Sequence, residues 1–515
     1  MAKLEIKDGV AIIPEGTTAI EYNAFKGCTG LTSVVIPDSV TKIGSWAFED
    51  CTGLTSVVIP ASVTKIGSSA FKGCTGLTSI TIPASVIEIE ESAFKGCAGL
   101  TEITIPDSVT EISKYAFEGC IGLTSVTIPS SVEKIYDGIL SGCVGLKEVK
   151  VAEGNPVYDS RNDCNAIIET SSNELIAGCK ATIIPDSVTE IGWYAFKGCT
   201  GLNEITIPDS VTKIGSIAFQ GCTGLTSITI PDSVAEIDGS AFYGCTGLTS
   251  VVITDSVTEI GGSAFYGCTG LREITIPASV TEIGSSAFEG CTGLTSITIP
   301  DSVAEIGFSA FEGCTGLSEI TIPASVTEIG SGAFKGCTSL TSVVIPASVK
   351  EIGSCAFEGC TGLTSITISN SVTKIGDSAF GNCTSLTEIT IPDSVTEIGS
   401  SAFEGCTSLT AITLSDSVTK IEAYTFLNCS GLPEITIPSS VKVVSREIFA
   451  GCESLETLIL GTGINKFEED AFWACNAIKT IYVPAKKTDY YIKRLPNNLH
   501  PFIVELESVK KAKKK

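Results

Sequence analysis

Apolar and polar residues follow one 23-residue pattern along most of the chain. In the copy L-T-S-I-T-I-P, which starts at Leu294, the leucine and the two isoleucines alternate with threonine and serine. This alternation and the β-branched side chains predict a short strand with Leu294, Ile297 and Ile299 facing inward. Pro300 cannot donate a ladder hydrogen bond, so we expect the strand to end there.

The remainder of each copy predicts a turn, a second apolar contact and one helical turn. Val303 and Ile306 form an apolar pair spaced by three residues, and Gly307 permits a bend. In the next segment, A-F-x-G-C, Ala310 and Cys314 are four residues apart, which is the spacing of one helical turn. We expect the phenylalanine of this segment to be the large core residue of the coil.

The apolar side chains of one copy are too few to form a core alone, so the copies must stack. A fixed internal period indicates a solenoid, in which each coil buries its apolar face against its neighbours. This interpretation replaces the roughly three domains that a length of 515 residues would otherwise suggest.

The cysteines support the same interpretation, because 19 of the 22 occupy one position of the period. They are Cys28, Cys51, Cys74, Cys97, Cys120, Cys143, Cys199, Cys222, Cys245, Cys268, Cys291, Cys314, Cys337, Cys360, Cys383, Cys406, Cys429, Cys452 and Cys475. Stacked side chains that point the same way leave their Cβ atoms about 4.8 Å apart, beyond the usual disulfide range. We interpret the column as a structural ladder of buried free thiols that donate to loop carbonyls, which favours a reducing compartment. A zinc site would need close pairs such as C-x₂-C, which the chain lacks.

The recurring pattern L-x-x-I-x-I-P-x-S-V-x-x-I-G-x-x-A-F-x-x-C resembles the BspA-like leucine-rich repeat family with 23-residue repeats, from Ile20 to Pro484. The resemblance implies a repeat solenoid, a curved leucine-rich-repeat right-handed superhelix with a parallel β-sheet on its concave face. Short strands, turns and helical turns would lie on the convex side. It also implies binding to proteins or surfaces, often in bacterial adhesins, although a fold alone does not determine a function.

The pattern divides the chain into five parts. Residues 1–19 resemble an incomplete repeat that serves as an N-terminal cap, and residues 20–150 and 188–484 carry the leucine-rich repeats. Residues 151–187 form an irregular insertion, where AIIE and ELIA flank TSSN in a pattern typical of a hairpin. Two interpretations of this insertion stay open, a structural spacer and a recognition loop. Residues 485–515 are expected to form a C-terminal cap and a basic tail.

Charge and residue types give no support to catalysis. The net charge of −25 argues against nucleic acid and anionic membranes as partners, and no apolar run is long enough for a membrane span. The single histidine, His500, excludes multi-histidine metal sites. Glu282, Glu305 and Glu328 recur at one coil position, where we expect a solvated acidic stripe. We therefore expect no enzyme activity, no cofactor and no metal. The lysine-rich end, residues 508–515, is expected to be solvated or to tether an acidic partner weakly.

The outward strand positions form the candidate binding surface, because they vary from copy to copy while the core repeats. They carry hydroxyl and methyl groups with interspersed glutamates, and few of the Tyr, Trp or Arg residues that dominate interface hot spots. The candidate partner-binding residues on the concave face are Thr101, Glu102, Thr104, Glu204, Thr206, Arg272, Glu273, Thr275, Thr295, Ser296, Thr298, Glu319, Thr321, Glu388 and Thr390. The aromatic residues before the Ala-Phe pair are expected either to pack over neighbouring coils or to form a second binding face; they are Trp46, Tyr115, Trp193, Tyr194, Phe308 and Tyr424.

These observations predict a non-enzymatic, adhesin-like scaffold that binds a protein or cell-surface partner through its concave face, with avidity from many weak equivalent contacts. The alternative is a structural spacer or self-assembling element without a specific ligand. A monomer is expected, and end-to-end association stays open. The N-terminus lacks the features of a secretory signal, so the sequence as written predicts the cytoplasm, or the cell surface or secretion if a leader preceded it.

Overall fold

The fold is that of a computed structural model, which describes residues 6–506. The chain forms two units, Met1–Val257 and Thr258–Lys515. Each unit is a stack of coils, and most coils contribute one strand after the leucine and a second, two-residue strand after the proline turn. The predicted leucine-rich-repeat solenoid is confirmed. The lysine-rich residues 508–515 lie outside the described part of the chain.

The strands of the first unit fall into two sets that run through its coils. The strands that follow the leucine are Val10–Ile12, Ser33–Val35, Ser56–Val58, Ser79–Thr81, Ser125–Ile128, Glu148–Val151, Ser227–Thr229 and Ser250–Val252. The shorter strands are Ala19–Ile20, Lys42–Ile43, Lys65–Ile66, Glu88–Ile89, Glu111–Ile112, Lys134–Ile135, Glu190–Ile191, Lys213–Ile214 and Glu236–Ile237. Paired neighbours in each set are parallel and offset by one repeat, as Ser56 is opposite Ser79.

The second unit repeats this arrangement. The strands that follow the leucine are Glu273–Thr275, Ser296–Thr298, Glu319–Thr321, Ser342–Ile345, Ser365–Ile368, Glu388–Thr390, Ala411–Thr413, Glu434–Ile437, Thr457–Leu460 and Thr480–Val483. The shorter strands are Glu259–Ile260, Glu282–Ile283, Glu305–Ile306, Glu328–Ile329, Glu351–Ile352, Lys374–Ile375, Glu397–Ile398, Lys420–Ile421, Val443–Val444 and Lys466–Phe467.

The alternating pattern places the side chains of each longer strand as expected. In the copy that starts at Leu294, the strand is Ser296–Thr298, and Leu294, Ile297 and Ile299 are buried. Thr298 is exposed. Because equivalent isoleucines of successive coils lie opposite one another, each coil completes the apolar core of its neighbours.

The phenylalanines stack in the core of each unit, in one column in the second unit and in two runs in the first, where Leu140 takes the place of one ring. The ring centroids of Phe288 and Phe311 are 5.5 Å apart with an interplanar angle of 3°, and those of Phe311 and Phe334 are 5.4 Å apart at 2°. These rings have no exposed surface. The offset-stacked geometry at this spacing is favourable for aromatic side chains, so the column contributes both burial and ring contact.

The helical turn expected between Ala310 and Cys314 is replaced by successive turns, because the peptide groups bond to neighbouring coils. The Cys314 N–H donates to the Phe311 carbonyl, three residues back, at 3.2 Å. The Ala310 carbonyl, which an α-helix would pair with Cys314, instead accepts the N–H of Phe288 in the preceding coil at 2.8 Å. Ser309 and Gly313 have φ values of 51° and 70°, which also break a helical path.

The position before each column cysteine requires a left-handed backbone. Glycine usually fills it, as at Gly313 with a φ of 70°. Where glycine is absent, Asp50, Asn382, Asn428 and, before Cys475, Ala474 fill the position with φ values between 58° and 59°. Aspartate and asparagine are the side chains that enter this region most readily, so the substitutions preserve the turn.

Capping segments cover the outer strand of each unit. In the first unit, Ile6–Lys7 pairs antiparallel with Val10–Ile12, which itself occupies the repeat strand position beside Ser33–Val35. In the second unit, the helix Thr488–Ile492 and the 3₁₀ segment Asn497–Phe502 lead to a strand, Ile503–Glu505, that pairs with Thr480–Val483.

The C-terminal cap contains the single histidine and a buried tyrosine. Tyr491 is fully buried, and its hydroxyl donates to the Gly461 carbonyl. His500 lies in the 3₁₀ segment, where its Nε2 is 3.0 Å from the Leu495 carbonyl oxygen. These contacts give both residues structural positions in the cap.

The insertion of the first unit contains an antiparallel hairpin. Ala166–Glu169 pairs with Glu174–Gly178, and Tyr158–Asp159 and the 3₁₀ segment Arg161–Asp163 precede it. The strand Glu174–Gly178 then pairs in parallel with Glu190–Ile191, which returns the chain to the repeat. The division of the chain into the five parts given above remains a prediction.

Candidate functional site

The outward side chains of the strands that follow the leucine, and of the equivalent positions in coils without that strand, form the strand face. In the second unit, Glu273, Ser296 and Glu319 lie opposite one another in three consecutive parallel strands. Thr298 and Thr321 occupy the next outward position of the same sheet. The strand face therefore presents carboxylates and hydroxyls in rows across successive coils.

All the predicted strand-face residues are exposed, but they do not form one continuous sheet. In the second unit, Arg272, Glu273, Thr275, Thr295, Ser296, Thr298, Glu319 and Thr321 lie in or beside the same three strands. Glu388 and Thr390 belong to a separate pair of strands with Ala411–Thr413. In the first unit, Thr104 makes an isolated bridge to Thr81, while Thr101 and Glu102 lie outside assigned strands. Glu204 and Thr206 also lie in a segment without strand structure.

The threonine that follows the leucine has a structural role. The Thr295 hydroxyl donates to the Arg272 carbonyl of the preceding coil at 3.1 Å, and Thr124 donates to Thr101 at 3.3 Å. The same bond recurs in both units. The hydroxyl at this position is therefore engaged within the stack.

The cysteine column is the structural ladder that the spacing predicts. The Cys291 thiol donates to the Phe265 carbonyl and Cys314 donates to Phe288, each at 3.1 Å. Burial raises the pKa of Cys291 and of Cys360 to about 12. A thiol with such a pKa is protonated at neutral pH, so these side chains act as small apolar residues with one hydrogen bond each.

The exposed carboxylates of the shorter strands form the acidic stripe expected from the sequence. Glu259, Glu282, Glu305 and Glu328 are exposed and stand opposite one another in consecutive parallel strands. Among residues 6–506, no three His, Cys, Asp or Glu side chains are grouped so as to hold a metal ion. The stripe is a solvated surface, and its like charges are spaced along the stack.

Several aromatic side chains pack against neighbouring coils, while others stay exposed. Trp46 contacts Tyr22 edge to face at 5.0 Å between ring centroids. Tyr115 and Tyr194 make a similar contact at 5.8 Å, and lysine ammonium groups lie over both rings. Trp193 is 53% exposed. The first of the two interpretations thus holds for the Trp46 and Tyr115–Tyr194 positions.

The insertion places one carboxyl in an electrostatically unfavourable position. Burial, and then the charges of Glu190, Glu169 and Asp137, raise the pKa of Glu174 to about 6, against a smaller opposing effect of Lys213. Its ordinary value is 4.5. The folded protein therefore binds more protons than the unfolded chain between about pH 4.5 and 6, so stability falls as pH rises through this window.

We predict that Glu174→Gln stabilises the first unit at pH 7.5, because the substitution removes the buried charge. One pKa unit corresponds to about 1.4 kcal/mol, and solvent screening reduces this at a half-buried site, so we expect a gain of about 1 kcal/mol. The gain should shrink as pH falls towards the ordinary glutamate pKa of 4.5, because the side chain is then protonated in the folded protein. Thermal unfolding from pH 4.5 to 8 measures it, with the exposed-site variant Glu328→Gln as control. Parallel stability curves for the wild type and Glu174→Gln would contradict this prediction.

The first unit also contains a groove that the sequence interpretation missed. It has a volume of about 910 Å³ and is lined by four successive segments, with Ile183, Glu204, Ile228 and Thr254 among them. Ile183 is 74% exposed. The sequence contained a signal for it, because the segment T-I-I-P places isoleucine where other copies have an outward threonine.

Comparisons with solved structures find several repeat proteins that are similar to this chain. Solved structures similar to it include a leucine-rich repeat protein from Bacteroides ovatus (25% identity, 97% of this chain and 94% of that chain, TM-score 0.39). A second is a leucine-rich repeat protein from Eubacterium ventriosum (25% identity, 80% of this chain and 92% of that chain, TM-score 0.49). A third is a leucine-rich cell surface protein from Faecalibacterium prausnitzii (27% identity, 70% of this chain and 87% of that chain, TM-score 0.41). A search of curated proteins finds no match.

The described residues include no helix that is long and apolar enough to cross a membrane. A family model for the BspA type leucine-rich repeat region matches five segments, residues 10–97, 64–162, 172–295, 281–410 and 373–494. These matches cover most of the chain and carry the same period as the strands and the cysteine ladder. The chain therefore belongs to the BspA-type leucine-rich repeat family.

Proposed function

We propose that the protein is a non-enzymatic scaffold that binds protein or cell-surface partners through its strand face, in the manner of an adhesin. The supporting observation is the row of exposed polar side chains held in register above a buried core, as at Glu273, Ser296 and Glu319. Such a surface offers many equivalent weak contacts, so one extended partner gains avidity from several coils.

The hydrogen bonding of the coils supports a rigid surface. The backbone, the threonine hydroxyls and the cysteine thiols all bond one coil to the next. A surface that is held in place before binding loses little conformational entropy when a partner docks. Rigidity thus favours binding even where individual contacts are small.

The alternative is a structural spacer or a self-assembling element, and a self-assembling element would need open ends for stacking. The caps at Ile6–Lys7 and Ile503–Glu505 each cover the outer repeat strand of their own unit. Covered strands oppose edge-to-edge association, so we propose a monomer. Light scattering measures this, and a mass that rises with protein concentration would favour self-assembly.

We predict that the double variant Glu273→Lys with Glu319→Lys lowers partner capture at least fivefold. Immobilised wild-type protein and variant are exposed to host and bacterial extracts, and bound proteins are quantified by mass spectrometry. Charge reversal at two neighbouring outward positions repels any partner that complements the wild-type face. The readout is the set of proteins that the wild type retains.

A matched control carries the same charge change away from the strand face. Glu282→Lys with Glu328→Lys alters the acidic stripe on the shorter strands of the same unit. We expect this control to capture the wild-type set unchanged. Equal losses in both variants, or no specific capture by the wild type, would refute the strand-face function.

A further inference from the structure

The groove beside the insertion interrupts the regular strand face of the first unit. Its walls come from Thr182 to Asp186, Glu204 to Asp209, Ser227 to Asp232, and Thr254. The hairpin that precedes it occupies the length of chain in which a regular coil would otherwise lie. The groove therefore exists at the one long departure from the 23-residue period.

The groove carries negative charge without compensation in its lining. Asp186, Glu204, Asp209 and Asp232 line it and are exposed, and its lining contains no lysine or arginine. None of these four carboxylates takes part in an ion pair among the described residues. A cationic partner would thus meet several carboxylates in one concave site.

An apolar contact lies in the same groove. Ile183 exposes 74% of its surface, although the outward position it occupies holds threonine in most repeats. Ile205 is half-buried, whereas the equivalent Ile228 is only 4% exposed. The groove thus combines an aliphatic surface with carboxylates around it, which is a combination that discriminates between partners.

The floor of the groove contains peptide groups that make no bond to a neighbouring coil. Among the described residues, Glu204 to Ile207 have neither a strand partner nor a backbone hydrogen bond. The next strand, Ser227–Thr229, pairs only with Ser250–Val252 on its far side. Open N–H and C=O groups at a binding surface are partners for an extended chain.

We propose that this groove is the docking site for an extended, lysine- or arginine-containing segment of a partner protein, with an aliphatic side chain seated on Ile183. The proposal rests on the proposed strand-face function and gives it a location and a partner chemistry. Side chains two residues apart share one face of an extended chain. The pattern basic-x-aliphatic-x-basic therefore presents all three required groups to the groove at once.

The test uses the labelled peptide Lys-Ser-Val-Ser-Lys-Ser-Lys and the full-length protein, with binding measured by fluorescence anisotropy at low and high salt. A second peptide of the same composition, Lys-Val-Ser-Ser-Lys-Ser-Lys, moves the valine to the opposite face. We expect the first peptide to bind about fivefold more tightly than the second, and we expect added salt to weaken both. A peptide with glutamate in place of lysine should not bind.

The protein variants use residues that the repeat already carries at the same positions, so they preserve the fold. Ile183→Thr restores the common outward threonine, and we expect it to weaken binding about fivefold. Glu204→Ser with Asp209→Ala removes two carboxylates, and we expect it to weaken peptide binding about tenfold. The control, Asp301→Ala with Asp393→Ala, removes two exposed carboxylates from the turns of the second unit and should leave binding unchanged. Thermal unfolding verifies that each variant is folded.

The outcomes separate this inference from the strand-face function. Absent peptide binding, or groove variants that bind like the wild type, would overturn the groove site. Partner capture by the Glu273→Lys, Glu319→Lys variant, measured as above, reports on the strand face independently of the peptide. If the Glu273→Lys, Glu319→Lys variant loses partner capture, the strand-face function is supported. If the groove variants then bind the peptide like the wild type, the groove inference alone is wrong.

Discussion

Replacement of Phe311 with alanine is expected to lower the free energy of opening of its coil by about 3–5 kcal/mol, the usual cost of truncating a fully buried phenylalanine. Phe311 has no exposed surface and stacks on Phe288 and Phe334 in the adjacent coils. The truncation removes the apolar burial of one ring, two ring contacts and part of the packing of two neighbours. The free energy of opening should therefore also fall in the coils on both sides.

The same coil offers a matched control in Phe308, which is 58% exposed. Phe308→Ala removes an identical side chain three residues away, and we expect it to change stability by no more than about 0.5 kcal/mol. The contrast isolates burial from composition, since both variants have the same amino-acid content.

Hydrogen exchange, followed by mass spectrometry, is the appropriate measurement because long repeat arrays do not always unfold in one step. The free energy of opening is obtained for peptides that contain the substituted coil, its two neighbours, and a distant coil of the same unit. If the free energy of opening falls in the coils around Phe311 and changes little at the distant coil, each coil is stabilised mainly by its nearest neighbours. Equal exchange in the Phe311→Ala and Phe308→Ala proteins would contradict the core assignment.

The period of the sequence was sufficient to predict the stacked coils, the inward residues of the longer strand and the cysteine ladder. Each depends on contacts between equivalent residues, such as Ile297 with Ile274 and Ile320, which recur at a fixed offset. A repeated local pattern also predicts the contacts between coils, because the neighbour of every coil has nearly the same sequence.

The turns were predicted less well, because their hydrogen bonds are not local. The spacing of Ala310 and Cys314 is that of a helical turn, yet the Ala310 carbonyl is bonded to Phe288 in another coil. The residue pattern at Val303 and Ile306 likewise indicates only an apolar pair, whereas Glu305–Ile306 is a strand. A strand of two residues is too short to show an alternating pattern in the sequence. It is a strand only because it pairs with the parallel strands of the neighbouring coils.

Only part of the candidate site could be predicted, because the groove, like the turns, depends on contacts that are not local in the sequence. The exposed strand face follows from alternation, but the groove depends on where the insertion returns to the stack. Ile183 carried a visible signal, an aliphatic residue at an outward position. The absence of strand pairing at Glu204 could not be read from its sequence, which matches that of regular coils.

The buried thiols lead to the second major prediction, which concerns reactivity. All but two of the 22 cysteines are buried, the exceptions being the half-buried Cys28 and Cys355. Burial raises the pKa of Cys406 to about 12, so its thiolate fraction at neutral pH falls by about three orders of magnitude relative to an unperturbed thiol. Labelling of the buried set then requires local opening of a coil.

We expect iodoacetamide at pH 7.5 to modify the half-buried Cys28 and Cys355 in the folded protein and to leave the remaining, buried cysteines unmodified. Cys355 should react more slowly than an unperturbed thiol, because burial and the neighbouring Glu358 raise its pKa. In denaturant without reductant, all 22 cysteines should react. Mass spectrometry of the intact protein counts the modified thiols, and peptide mapping locates them. The control Cys355→Ser places at that position the serine that other coils carry, such as Ser378 in the next coil, and it should remove one labelled site.

The labelling count also tests the geometry of the column. Most ladder thiols are directed at a phenylalanine carbonyl of the preceding coil, as Cys337 is to Phe311 at 3.2 Å and Cys383 is to Phe357 at 3.2 Å. A disulfide between adjacent rungs would break two such bonds and turn both side chains from their common direction. A denatured, unreduced protein with few reactive thiols would show that oxidation had overcome this cost, and would contradict both the free-thiol ladder and a reducing compartment.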